Sequence, residues 1–133
     1  MVSQSLIHAC EQVLHGDLLN EFLDVVVNFT PVETFTEEID GETDEYISLP
    51  EVGVLISEHP SGIIDRIIYD VKFPGKINQV QIGMSGDEVE QLLGAPDRLW
   101  PMPHPNFILI YDAPTFFRVE LNRDTEKVIV MIR

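Results

Sequence analysis

Apolar residues recur at helical spacing in the N-terminal part of this chain. The clearest stripe consists of Leu18, Leu19, Phe22, Leu23 and Val26. Residues separated by three or four positions share one side of a helix, so the stripe predicts a helix that packs on a sheet. We expect helical structure over residues 3–28, and Gly16-Asp17 is the place where it can break in two. The β-branched run at residues 25–27 weakens this prediction.

The next part of the chain favours strands. Residues 30–49 are the most polar stretch and are interrupted by Pro31 and Gly41, so they predict a loop or a poorly covered hairpin. Residues 52–57 and 63–71 are rich in β-branched side chains and are separated by a turn-forming segment with proline and glycine. These two runs predict an antiparallel hairpin.

Residues 83–96 contain the best-defined local signal. Ser85 is a predicted N-cap, and Glu88, three residues later, completes a capping box. Gly94 followed by Pro96 supplies a stop signal. The segment therefore predicts one short helix at about residues 85–93, with a buried face made of Val89, Leu92 and Leu93.

Three further strand candidates follow this helix, at residues 107–112, 116–121 and 127–132. In the second candidate, apolar residues alternate with Arg118 and Glu120, so we expect one buried face and one wet face. The predicted fold class is α+β: an antiparallel sheet with an N-terminal helix or helices and one short helix packed on it. The 133 residues are expected to form a single domain, 1–133.

Charge divides the chain into two unequal halves. No lysine or arginine precedes Arg66, whereas that stretch holds 14 of the 23 acidic residues, and the net charge of the whole chain is −15. Such a field repels nucleic acid and anionic membranes and accelerates encounter with a basic partner. An acidic surface can also simply keep a small protein in solution, and this alternative stays open.

The single cysteine, Cys10, excludes an internal disulfide framework and fits a reducing compartment. The preceding Ile7-His8-Ala9 faintly resembles a lipoprotein cleavage box, but no positive charge or long apolar core comes before it. We interpret Cys10 as a buried or half-buried helix thiol. Because no run approaches the roughly 18 apolar residues of a membrane span, we expect a soluble, cytoplasmic protein.

Residues for catalysis or metal binding are scarce. His8 and His15 are seven positions apart, whereas zinc ligands on a helix are usually three or four apart. Residues 40–45 place carboxylates at alternate positions, as a calcium loop does, but Gly41 directly follows the first acid and the bidentate glutamate is missing. No nucleophile set or phosphate loop is present in the sequence. We therefore predict a protein that is not an enzyme and has no metal or cofactor.

Two family resemblances bear on function. Residues 83–96, which read G-M-S-G-D-E-V-E-Q-L-L-G-A-P, resemble the helix of SmpA/OmlA-type and β-lactamase-inhibitor-like small domains, where an antiparallel sheet follows. The strand pair within residues 46–71 resembles the arrangement in immunity proteins of bacterial polymorphic toxin systems. The first resemblance implies a structural or envelope-assembly role. The second implies binding and neutralisation of a cognate toxin.

The leading hypothesis is an immunity protein that inhibits a basic toxin domain, such as a nuclease, through an acidic surface. Trp100 precedes a rigid, proline-rich segment at residues 101–105, so Trp100 and Met102 are candidates to anchor a partner, unless Trp100 packs on the sheet. The predicted partner-binding residues are Glu33, Glu37, Glu38, Asp40, Glu42, Asp44, Glu45, Glu51 and Trp100.

Overall fold

The computed structural model describes residues 2–100 and 103–133, except for the side chain of Ile39. Within these residues the helices are α1 (Gln4–Gln12), α2 (Leu19–Val26) and α3 (Gly86–Leu93). The strands are β1 (Glu33–Ile39), β2 (Glu42–Leu49), β3 (Val54–Glu58), β4 (Ile64–Tyr69), β5 (Lys76–Ile77), β6 (Val80–Gln81), β7 (Arg98–Leu99), β8 (Asn106–Tyr111), β9 (Phe117–Asn122) and β10 (Val128–Ile132).

In the described part of the chain, eight strands form one sheet in the order β1-β2-β3-β4-β10-β9-β8-β7, and β5 and β6 form a separate two-stranded ribbon. Within the described residues, all neighbouring strands of both sheets run antiparallel. The C-terminal meander predicted from the sequence corresponds to β8, β9 and β10. The α+β fold class is therefore confirmed. None of the described helices has the length and hydropathy required to cross a membrane.

The predicted N-terminal helix is broken at the expected place. Helix α1 ends at Gln12, since its C-cap Val13 is extended, and in the link that follows Gly16 adopts a φ of 92°, a left-handed conformation that glycine accepts at little cost. The amide of Gly16 donates to the carbonyl of Ile64 at 2.8 Å, and the amide of Ile64 donates back to the carbonyl of Asp17 at 2.8 Å. The segment between α1 and α2 is thus fixed against the start of β4.

Hydrogen bonds from Tyr69 and Arg133 connect the C-terminal end of α1 to the sheet. Cys10 is fully buried, and its carbonyl accepts a hydrogen bond from the Tyr69 hydroxyl at 2.8 Å. The Arg133 guanidinium donates to the carbonyls of Glu11 and Val13. A cation on the last carbonyls of a helix satisfies groups that have no partner within the helix and complements the helix dipole.

Helix α3 confirms the capping box. The Glu88 amide donates to the Ser85 hydroxyl at 3.2 Å, and the Ser85 amide donates to the Glu88 carboxylate at 3.2 Å. The predicted buried face was too wide, however, because Val89 is buried and Leu93 is half-buried but Leu92 is 42% exposed. Val89 and Leu93 are four positions apart and lie along one line of the helix, which leaves Leu92 beside the contact.

The prediction of one wet face on β9 was also wrong. Glu120 is buried, and its carboxylate accepts from Asn106 at 3.1 Å and pairs with Arg118 at 3.0 Å. Ile108 lies directly opposite Glu120 on β8, and Ile132 lies opposite Arg118 on β10. The isoleucines flank these polar side chains on the neighbouring strands, and the buried Arg118 Nε has no hydrogen-bond partner among the described residues.

Burial of Cys10 predicts alkaline destabilisation. Burial, followed by the nearby Glu11 carboxylate, raises the pKa of the Cys10 thiol from 9.0 to about 12, and burial raises the pKa of Tyr69 from 10.0 to about 12. The unfolded chain therefore loses these protons at lower pH than the folded chain. Below pH 9 this contribution to stability is fully present, and above it we expect a loss of about 1.4 kcal/mol per pH unit for each titrating group.

Urea unfolding at intervals between pH 8 and pH 11 measures this loss. Cys10→Ala is expected to remove the decline between pH 9 and pH 10 while retaining the steeper part above pH 10 that belongs to Tyr69. Identical slopes between pH 9 and pH 10 in the variant and the parent protein would contradict the assignment to Cys10.

Candidate protein-binding site

The predicted acidic residues lie on a long hairpin formed by β1 and β2. Asp40 and Gly41 connect the strands with φ values of 52° and 80°. Two consecutive positive φ values define a type I′ turn, whose twist matches that of antiparallel strands. The hairpin alternative for residues 30–49 is therefore correct, and the loop alternative is wrong.

The hairpin ends in an open sheet edge. Strand β1 lies at one edge of the eight-stranded sheet, and among the described residues it pairs with β2 alone. Its side chains from Glu33 to Glu38 are exposed. A strand edge with unpaired backbone groups is prone to pairing with other chains, and charged side chains are one means of restricting such pairing.

Like charges face each other across the hairpin. Glu37 lies directly opposite Asp44, and on the other side of the sheet Glu45 lies opposite Glu58 on β3. Directly opposite like charges destabilise a strand pair. The ion pairs found among the described residues, Arg98–Asp112 and Arg118–Glu120, lie outside the hairpin. The hairpin carboxylates therefore repel each other without an ion-pair partner in the described part of the chain.

An aromatic pair lies beside these carboxylates. Phe35 is directly opposite Tyr46, and their rings stack with centroids 5.2 Å apart and planes inclined by 14°. Along the same side of the two strands, the pair is flanked by Glu33 with Ser48 and by Glu37 with Asp44. We call this surface, made of Glu33, Phe35, Glu37, Asp44, Tyr46 and Ser48, the acidic hairpin face.

The charges of the acidic hairpin face affect the hydroxyl of Tyr46. Partial burial raises the pKa of Tyr46, and the carboxylates of Asp44 and Glu37 raise it further, against an opposing effect of Arg66. An aromatic centre with a charged rim is the usual arrangement of strongly contributing residues in protein interfaces.

Eight of the nine predicted site residues lie on the β1–β2 hairpin or in the turn after it. Those within the strands are distributed over both sides of the sheet. Glu42 shares the side of the acidic hairpin face, whereas Glu38 and Glu45 lie on the other side. Asp40 lies in the turn, and Glu51 is exposed in the turn that follows β2.

Trp100 does not belong to this surface. It directly follows β7, the strand at the opposite edge of the sheet from β1, and its amide donates to the carbonyl of Ile108. The Arg118 guanidinium lies 5.1 Å from the centre of the Trp100 ring. The prediction that Trp100 packs on the sheet describes this arrangement, although the ring stays partly exposed. Met102, the other predicted anchor, lies outside the described residues.

The sequence interpretation missed Phe35 and Tyr46. Their side chains become neighbours only through the register of β1 and β2, which pairs position 35 with position 46. The signal that could have identified them is the Asp40-Gly41 dipeptide, because a two-residue turn fixes the register of the strands on both sides.

Two histidines and an aspartate, side-chain types that could serve catalysis or metal binding, form hydrogen bonds with neighbouring residues instead. The His15 imidazole donates from Nδ1 to the carbonyl of Asp65 at 2.6 Å, and His104 Nδ1 accepts from the amide of Asn106 at 2.9 Å. Asp112 accepts two hydrogen bonds from Arg98, which lower the pKa of this carboxyl. Within residues 2–100 and 103–133, no group of three or more histidine, cysteine, aspartate or glutamate side chains could hold a metal ion.

Comparison with known proteins gives a likeness of fold. No protein-family model and no curated protein matches this sequence. A solved structure, that of the uncharacterized protein yfeY from Escherichia coli, is similar to this chain with a TM-score of 0.59. The two sequences are 13% identical, and the similarity covers 92% of each chain. At this identity the chain is similar to yfeY in fold, and the similarity carries no information on function.

Proposed function

We propose that this protein is a non-enzymatic inhibitor that binds a basic protein domain through the acidic hairpin face. The observation that carries the proposal is the pair Glu37 and Asp44, which face each other at an open sheet edge and form no ion pair with any of the described residues. The repulsion costs folding stability. A basic partner would remove this cost, so the arrangement favours the bound state over the free one.

The acidic hairpin face suits rapid and specific association. The negative field steers a cationic surface towards the hairpin and raises the association rate. Phe35 and Tyr46 then supply apolar contact area at the centre, which governs the dissociation rate. If the partner is a nuclease toxin, the carboxylates occupy the positions of substrate phosphates opposite its lysines and arginines. The protein would then act as an immunity protein.

The role implied by the SmpA/OmlA resemblance remains the alternative prediction. Its test is detection of the protein in a membrane fraction with Cys10 acylated. In the folded chain Cys10 is fully buried in the core, so a lipid on its sulfur would have to displace α1 from the sheet. The observations therefore favour the binding role.

The proposed function is tested with a basic toxin domain as the partner, sought first among the genes adjacent to the one that encodes this chain. Stopped-flow association is measured at about 0.02 M and about 0.5 M salt, and protection of toxin-expressing cells is scored in parallel. We expect the association rate to fall at least about 10-fold at high salt, because screening removes steering. A rate independent of salt, or cells that die despite the protein, would overturn the proposal.

A second prediction needs no partner. Glu37→Gln combined with Asp44→Asn is expected to raise the free energy of unfolding by about 0.5–1 kcal/mol at low salt, because it removes the cross-strand repulsion. The gain should vanish at about 1 M salt. Urea unfolding measures both values.

The matched control for this prediction is Glu88→Gln. The Glu88 carboxylate accepts hydrogen bonds from the Ser85 amide and hydroxyl, so its neutralisation should lower the free energy of unfolding. If the Glu37 and Asp44 double variant is also less stable than the parent protein, these carboxylates stabilise the fold, which would contradict the predicted repulsion.

A further inference from the structure

A groove runs between the first two helices. From α1 it is lined by Ser5, His8, Ala9 and Gln12, which are separated by three, one and three positions. From α2 and the residues on either side of it, the groove is lined by Leu18, Glu21, Phe22, Val25 and Phe29. Together with Val13 and Asp17 these residues line an open depression of about 590 Å³, and we call this set of residues the helix groove.

The wall of the helix groove on the α2 side is apolar and open to solvent. Leu18, Val25 and Phe29 are 51%, 48% and 44% exposed, respectively. The exposed side chains stand next to Val13 and Phe22, which are buried in the core. Three large apolar side chains thus lie together on one exposed wall, where a partner could cover them.

The charged side chains of the helix groove are all acidic. Asp17 and Glu21 line it, Asp24 lies one position before Val25, and no lysine or arginine occurs in the sequence before Arg66. If a second copy of this chain docked there through the same surface, the carboxylates of the two copies would face and repel each other. An anionic membrane surface would be repelled in the same way.

We propose that the helix groove binds an amphipathic helix of a partner protein, with an apolar stripe directed into the groove and lysine or arginine residues beside the stripe. Residues on both walls recur three or four positions apart, which is the spacing at which a third helix presents its own ridge. The basic residues complement Asp17 and Glu21. The site is separate from the acidic hairpin face and shares no residue with it.

The probe is a synthetic peptide of about 18 residues with leucines at helical spacing and lysines on both flanks of the leucine stripe. The control is a peptide with the same amino-acid composition in scrambled order. Binding is measured by fluorescence anisotropy, and helix formation by circular dichroism. We expect the ordered peptide to bind at least about 10-fold more tightly than the scrambled one and to become helical on binding.

Two variants locate the binding. Leu18→Ser with Val25→Ser is expected to weaken the binding of the ordered peptide at least about 10-fold, since it removes apolar contact area. Val71→Ser with Leu99→Ser removes a similar pair of residues, 64% and 65% exposed, and should leave binding unchanged. If the groove variant unfolds, Glu21→Lys replaces it and should weaken binding in the same direction.

Equal binding of both peptides, or an equal loss in the Val71 and Leu99 variant, would overturn the proposal. So would sedimentation that shows a dimer of the parent protein and a monomer of the Leu18 and Val25 variant, because a second copy would then occupy the groove. Glu37→Gln with Asp44→Asn should leave binding of the ordered peptide nearly unchanged. A failure of the helix groove is thus distinguishable from a failure of the acidic hairpin face.

Discussion

Reversal of Glu37, Glu42 and Asp44 to lysine is expected to slow association with the basic partner by about 100-fold at low ionic strength. The three residues lie on the same side of the hairpin as Phe35 and Tyr46, so the variant places positive charge where the partner's positive charge arrives. Like-charge contact at an interface opposes encounter and docking alike. Stopped-flow fluorescence at about 0.02 M salt measures the rate.

The matched control reverses three acids elsewhere to lysine. Glu90, Asp124 and Glu126 are exposed, and they lie on α3 and in the turn between β9 and β10. Both variants carry the same net charge, and the control is expected to slow association only a few-fold. Equal slowing in the two variants would show that net charge governs the rate and that the hairpin has no special part.

The sequence predicted α3 accurately because its signals are local. Ser85 and Glu88 are three positions apart, and their reciprocal hydrogen bonds require only the first turn of the helix itself. The break between α1 and α2 was predictable for the same reason, since Gly16, in the link between the two helices, adopts a left-handed conformation that a helix does not contain. Features determined by a few neighbouring residues can be read from one sequence.

Strands β1 and β2 were harder to predict because their composition obscures them. Glutamate and aspartate have low strand propensity, and the stretch contains eight acids between Glu33 and Glu51. The strands form nevertheless, because Asp40-Gly41 provides the turn and because Ile47 and Leu49 are buried in the core. Packing at one end of the hairpin therefore outweighs weak local propensity.

Short strands that depend on distant partners were not predicted. Strand β7 contains only Arg98 and Leu99, which pair with Ile110 and Leu109 on β8. A two-residue segment has no periodicity to detect, so its pairing follows from the fold as a whole. The burial of Glu120 has the same origin, because the side chains around it come from β8, β9 and β10.

The candidate site was predictable in its charge but not in its geometry. The acids of residues 33–51 are evident in the sequence, yet their division between two sides of the sheet depends on register. The stacked pair of Phe35 and Tyr46 depends on the same register. Register therefore converts a run of acidic residues into a defined surface with an aromatic centre.

Gly53→Ala is expected to lower the free energy of unfolding by about 3 kcal/mol or more. Gly53 has a φ of 72°, at which an L side chain costs about 1–2 kcal/mol. A Cβ there would also lie 2.9 Å from the backbone nitrogen of Phe73 and collide with the Asp70 carboxylate, which accepts the Lys72 amide at 2.8 Å. Because backbone atoms are involved, the turn after β4 must shift and its hydrogen bonds weaken.

Gly41→Ala separates the two contributions. Gly41 has a similar φ of 80°, but a Cβ there has no neighbour within 4 Å, so only the conformational cost of about 1–2 kcal/mol applies. Urea unfolding of both variants gives the difference, which measures the close contact at Gly53. Equal losses would mean that the turn of Asp70 and Lys72 relaxes at little cost. A larger loss at Gly53 would show that the turn fixes the junction between β2 and β3, from which the acidic hairpin face extends.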